Sequence, residues 1–78
     1  MVVKILGTGC AKCRTLEAKV REVVAQHHIA CEIEKVTDLN DIMAYGIMMT
    51  PGLVVDGTVV SAGKIPGEAD LLKWLSAN

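Results

Sequence analysis

The chain has 78 residues, eight of them Lys or Arg and nine Asp or Glu, for a formal net charge of −1. That length holds one hydrophobic core and no independent second module, so a single domain over residues 1–78 is expected. Apolar residues make up 51% of the chain but only Tyr45 and Trp74 are aromatic, so it offers neither stacking platforms for bases nor a basic stripe for phosphates, and nucleic acid is excluded as a partner.

Taken in chain order, Val2 to Leu6 is β-branched and apolar and reads as a strand, ended by Gly7-Thr8-Gly9. This apolar start is too short for a signal peptide, and no segment reaches the roughly twenty apolar residues of a membrane helix, so no membrane association and a cytoplasmic address are expected. A helix begins near Cys10. From Ala11 to about His28 there is no Gly or Pro, and Cys13, Leu16, Val20, Val23 and Val24 recur at helical spacing, which predicts an amphipathic helix of about five turns. Cys31 to Val36 predicts a second strand, and Thr37 or Asp38 then caps a short helix that Gly46 ends in a left-handed conformation. Leu53-Val54-Val55, Asp56-Gly57 and Thr58-Val59-Val60 form a hairpin signal with a two-residue turn. From Pro66 a last helix presents Leu71, Leu72, Trp74 and Leu75 on one face. The order is β-α-β-α-β-β-α, and its strand-helix-strand start followed by a hairpin predicts an α/β fold with a mixed four-stranded sheet flanked by helices.

Three cysteines, an odd number, do not make a secreted disulfide framework. In a reducing compartment a close pair is more often catalytic or metal-binding than a static structural bridge, which directs attention to Cys10-Ala11-Lys12-Cys13. Cys10 falls at the first turn of the long helix, where unpaired amides and the positive end of the helix dipole favour a thiolate. Lys12 and Arg14 add positive charge there. Cys13, one turn on and in line with Leu16 and Val20, belongs to the inward stripe. The two thiols then have different tasks: Cys10 attacks a partner disulfide and Cys13 resolves the mixed disulfide. Two other uses of the pair remain open. One is transfer of Cu(I) or Zn(II), as in small metallochaperone domains, although these usually carry a Met where this chain has Thr8 and place their hairpin earlier. The other is a redox-sensing adaptor that docks on a larger protein.

With Cys-x-x-Cys after the first strand, a helix behind it, and Met49-Thr50-Pro51 before a Leu-Val-Val strand and an Asp-Gly turn, nearly the whole chain resembles the thioredoxin superfamily. It is most similar to the small prokaryotic thioredoxin-like redox-active disulfide proteins. The resemblance implies a compact thioredoxin-like fold, thiol–disulfide oxidoreductase activity toward protein disulfides, regeneration by a dithiol reductase, and no cofactor or resident metal. It also implies that Pro51 is a cis-proline beside the active-site disulfide and that Thr50 offers backbone groups to an extended substrate segment. Met48 and Met49 beside them are candidates for an adaptable apolar contact surface. The chain departs from thioredoxin proper in having Gly9 for the aromatic residue, Ala11-Lys12 for the dipeptide, and no Asp or Glu in the first strand to relay protons. Gly63 and Gly67 only loosely echo the glycine pair of glutaredoxins, so use of glutathione is left open. A monomer is expected.

The remaining polar candidates carry less. Cys31, on the same strand face as Ile33, is expected to be a buried, inert thiol. His27 and His28 read as a helix end, Glu32 and Glu34 as a solvated strand face, and Trp74 as the core anchor of the last helix.

Overall fold

The computed structural model describes residues 1–76. Four strands, β1 (Val2–Leu6), β2 (Glu32–Val36), β3 (Gly52–Val55) and β4 (Thr58–Ala62), alternate with three helices, α1 (Ala11–Gln26), α2 (Leu39–Ala44) and α3 (Glu68–Leu75). They form one sheet in the order β2-β1-β3-β4. β1 runs parallel to β2 from Val2↔Glu32 to Leu6↔Val36 and antiparallel to β3 from Val3↔Val55 to Leu6↔Gly52. The expected element order and the mixed four-stranded α/β sheet are therefore found.

β1 lies inside the sheet and uses its twofold alternation to feed two cores. Val3 and Ile5, with Leu53, pack against Leu16, Val20 and Val23 of α1 and Leu71 and Leu75 of α3. Leu6 and Val54 point to the other face, where Ile42 of α2 and Ile47 meet them. The end of β1 thus sits between two packed layers, and the loop that follows it leaves from a rigid base.

Local chemistry sets the ends of the elements. Asp38 caps α2 by accepting from the amides of Asn40 at 2.8 Å and Asp41 at 3.3 Å, and Gly46 follows that helix at φ 81°. Asp56 and Gly57 turn the β3–β4 hairpin with φ of 48° and 84°, the mirror-image turn that suits the strand twist. Beyond the turn, Val54 pairs with Val59 and Leu53 with Ser61, so Val60 is the extra residue of a bulge.

Several boundaries differ from expectation. α1 ends at Gln26, because His27 caps it and His28 turns into the left-handed region at φ 52°. The Ile29 amide then reaches back to the Val24 carbonyl at 3.0 Å, and both side chains join the first core. β2 opens at Glu32, leaving Cys31 just before it and half-buried; partial burial pushes its thiol pKa up. α3 starts at Glu68, behind a Gly67 cap and the buried Pro66. Trp74 is half-buried against the core, while Leu71 and Leu75 are the buried anchors of α3. Glu32 and Glu34 are exposed.

Candidate active site at the first strand-to-helix junction

Gly7 continues β1 by donating its amide to the Val36 carbonyl at 2.9 Å, which ties the exit of β1 to the end of β2. A Cβ at this buried position would overlap Cys13 Sγ, so the sulfur packs where a side chain would be. Gly9, at φ 93°, then bends the chain into α1. Arg14 fastens the bend by donating from Nη1 to the Gly9 carbonyl at 3.1 Å.

Cys10 is the N-cap of α1, with extended backbone at φ −68° and ψ 168°. Its Sγ accepts from the Cys13 amide at 3.3 Å, one of the donors that the first turn of a helix leaves without a partner. Cys10 is exposed and Cys13 is 5% exposed, and the two are joined as a disulfide with Cα atoms 5.1 Å apart. Lys12 is exposed in the same turn and pairs with no acid among the described residues.

The second wall comes from the segment before β3. The Thr50–Pro51 bond is cis, as the resemblance implied; Pro51 is buried and Thr50 half-buried. The last β1–β3 pair is Leu6↔Gly52, and one further step of that register sets Pro51 opposite Gly7, the residue against which Cys13 Sγ packs. The Pro51 carbonyl accepts from the Gly63 amide at 2.8 Å. Gly63 has φ 76°, and a Cβ on it would lie 2.9 Å from the Met49 Cβ, so its lack of a side chain makes room for Met49.

An apolar groove of about 230 Å³ begins at Thr50 and continues along Met48, Ile47, Met43 and Leu39. Met48 is 99% exposed, and Met43, Met49 and Leu39 are each at least 60% exposed. Leu39, Met43 and Met48 line this groove together, whereas Met49 packs beside Gly63 instead.

A small cleft of about 50 Å³ is lined by Cys13 together with Arg14, Glu17, Lys35 and Thr37. Glu17 accepts from Arg21 Nε at 3.0 Å and lies 3.5 Å from Lys35 Nζ. The Arg21 hydrogen bond, aided by Lys35 and opposed by partial desolvation, holds its carboxyl below the usual carboxylate range. Glu17 lies on α1, outside the first strand where a relay acid is expected. Its only signal in the sequence is the four-residue spacing from Cys13, which puts both on one helix face.

Among the described residues no group of three or more His, Cys, Asp or Glu lies together. No described helix is long and apolar enough to cross a membrane.

A family model described as a thioredoxin domain matches residues 1–76. A thioredoxin of Methanothermobacter thermautotrophicus is 38% identical over 76 residues, covering 97% of this chain and 99% of that protein. A thioredoxin of Methanocaldococcus jannaschii is 38% identical over 77 residues, covering 99% of this chain and 88% of that protein.

Proposed function

Since the chain belongs to the thioredoxin family, and so to the thiol–disulfide oxidoreductases, we propose that Cys10 is its attacking thiolate and Cys13 its resolving thiol. The observation that carries this division of labour is the asymmetry of the pair. Cys10 is exposed at a helix N-cap with an amide aimed at its sulfur, whereas Cys13 is buried one turn behind it. The helix terminus stabilises negative charge on the first sulfur, and Lys12 adds a cation nearby.

The reaction runs in two exchanges. The Cys10 thiolate attacks one sulfur of a protein disulfide, forming a mixed disulfide and releasing the other sulfur as a thiolate that takes up a proton. Cys13 then loses its proton and attacks Cys10 Sγ. The Cys10–Cys13 bond forms, the bond to the partner breaks, and the partner leaves with both sulfurs reduced. The two electrons come from the Cys10–Cys13 dithiol, which a dithiol reductase restores.

Thr50 and Pro51 form the platform against which an extended partner segment lies, and the exposed methionines beside them supply an adaptable apolar contact. The whole of residues 1–78 acts as one domain, and a cytoplasmic setting suits a dithiol that must be recycled. Replacing Cys13 with Ser removes the second exchange. The C13S variant is expected to accumulate mixed disulfides through Cys10 in lysate, resolved as bands that reductant removes, and to trap none when Cys10 is also replaced. A C13S protein that captures no partner contradicts the two-step scheme.

A further inference from the structure

The resolving step needs a thiolate at a buried sulfur, and burial alone disfavours that charge. What surrounds Cys13 therefore decides how readily it gives up its proton. From α1 the cleft behind Cys13 receives Arg14 and Glu17; from β2 it receives Lys35; from β1 and the loop after it come only Ile5, Gly7 and Gly9, and Thr37 adds an uncharged hydroxyl. Arg14 is engaged with the Gly9 carbonyl, and Arg21, which does not line the cleft, donates to Glu17 at 3.0 Å. Cys13 and Glu17, four residues apart on α1, have Cβ atoms about 5–6 Å from one another.

We propose that the Glu17 carboxylate and the Lys35 ammonium tune the proton affinity of the resolving thiol Cys13 in opposite directions, through the cleft that all three line. The inference rests on Cys13 being the resolving thiol. Glu17 opposes a second negative charge at Cys13 and so keeps it a thiol while Cys10 is the thiolate. Lys35, whose ammonium meets the Glu17 carboxylate at 3.5 Å, partly cancels that opposition and limits it. Glu17 carries its charge throughout the neutral range, because Arg21 and Lys35 hold its carboxyl in the ionised form. Both residues are positioning residues: neither forms nor breaks a bond. When Cys13 ionises, its proton passes to solvent water, and the new thiolate closes the ring on Cys10 while the partner sulfur departs.

The direct test follows the Cβ resonance of 13C-labelled Cys13 across pH in the C10S background, where no second active-site thiol titrates beside it. E17Q is expected to lower the Cys13 midpoint and K35Q to raise it, each changing the thiolate fraction at neutral pH by roughly three- to tenfold. With Cys10 present and Cys31 replaced by Ser in every variant, so that no third thiol reacts, a small aromatic disulfide such as 5,5′-dithiobis(2-nitrobenzoate) releases one thiol on attack by Cys10 and a second on resolution. E17Q is expected to speed the second release relative to the first, and K35Q to slow it, each by a smaller factor than the change in thiolate fraction, because a less basic thiolate is also a weaker nucleophile. A general loosening of the fold would move both midpoints the same way, and that result, unchanged midpoints, or a slower second release in E17Q would overturn the inference. The C13S variant separates the two levels: if the second release survives in C13S, the resolving role falls and this inference with it. If C13S abolishes that release while E17Q and K35Q leave midpoints and rates unchanged, only the tuning by Glu17 and Lys35 falls.

Discussion

Gly7 and Gly9 bracket the turn into the cysteine pair and serve it for different reasons. At Gly9 the need is conformational, since φ is 93° and nothing lies near the position of an added Cβ. Gly7 has no such backbone need. Its missing side chain is the space that Cys13 Sγ occupies. Gly7→Ala is therefore expected to force the sulfur or the strand aside and to lower stability by about 1–3 kcal/mol, measured by urea unfolding of the oxidised protein. A G7A protein as stable as the wild type would remove the close approach from the account. The two cations of the motif were less legible. Lys12 and Arg14 look equivalent as helpers of the thiolate, yet Arg14 is held by the Gly9 carbonyl at 3.1 Å while Lys12 has no acidic partner among the described residues. What separates them is the path of the loop, and a list of charges does not contain it.

Among the elements, type and order could be read because each has a periodic apolar pattern bounded by Gly, Asp or Pro. Their ends are less legible in the sequence. α1 has no Gly or Pro to stop it before residue 29, so periodicity alone carries it to His28. The structure stops it at Gln26, through a left-handed His28 and the return of the Ile29 amide to Val24. A residue with a Cβ is unfavourable in that conformation by about 1–2 kcal/mol. His28→Gly is expected to recover about 1 kcal/mol, seen as a rise of several degrees in Tm for a domain of this size. A lower Tm in H28G would mean that the imidazole contributes more than its backbone costs. α3 illustrates the same limit at the other end: Pro66 signals a helix start, but the first turn forms only behind Gly67. The Asp56-Gly57 hairpin, by contrast, was fully visible, because positive φ at two successive positions selects those residue types.

In the whole molecule the site is a meeting of segments far apart in the chain: the turn after β1, the start of α1, the cis-proline before β3 and the end of β2. The cysteine pair and Pro51 were legible as local motifs and through family resemblance. The cleft that joins Cys13, Glu17 and Lys35 was not, because it depends on how β2 lies beside β1 and under α1. The Glu17 ion pairs also bear on acid stability. A carboxyl whose pKa is lower in the folded chain than in the unfolded one stabilises the fold above the unfolded value, and this contribution is lost as pH falls through the folded value. Wild type is thus expected to lose more stability than E17Q on acidification below the ordinary glutamate range, as urea midpoints at successive pH values would record. Parallel midpoint curves for the two proteins would contradict that linkage.

The central claim, that Cys10 and Cys13 form a reversible two-electron couple, is tested most directly by equilibrating the metal-free protein in glutathione buffers of graded redox poise. After acid quench and alkylation, mass separates the closed ring from the dithiol, and a peptide digest keeps Cys31 apart. The account predicts one reversible transition between the Cys10–Cys13 dithiol and its ring, with a slope of two electrons and a defined potential, where 30 mV corresponds to about 1.4 kcal/mol. A dithiol that never closes across the whole series, or a ring that no poise reopens, would contradict it.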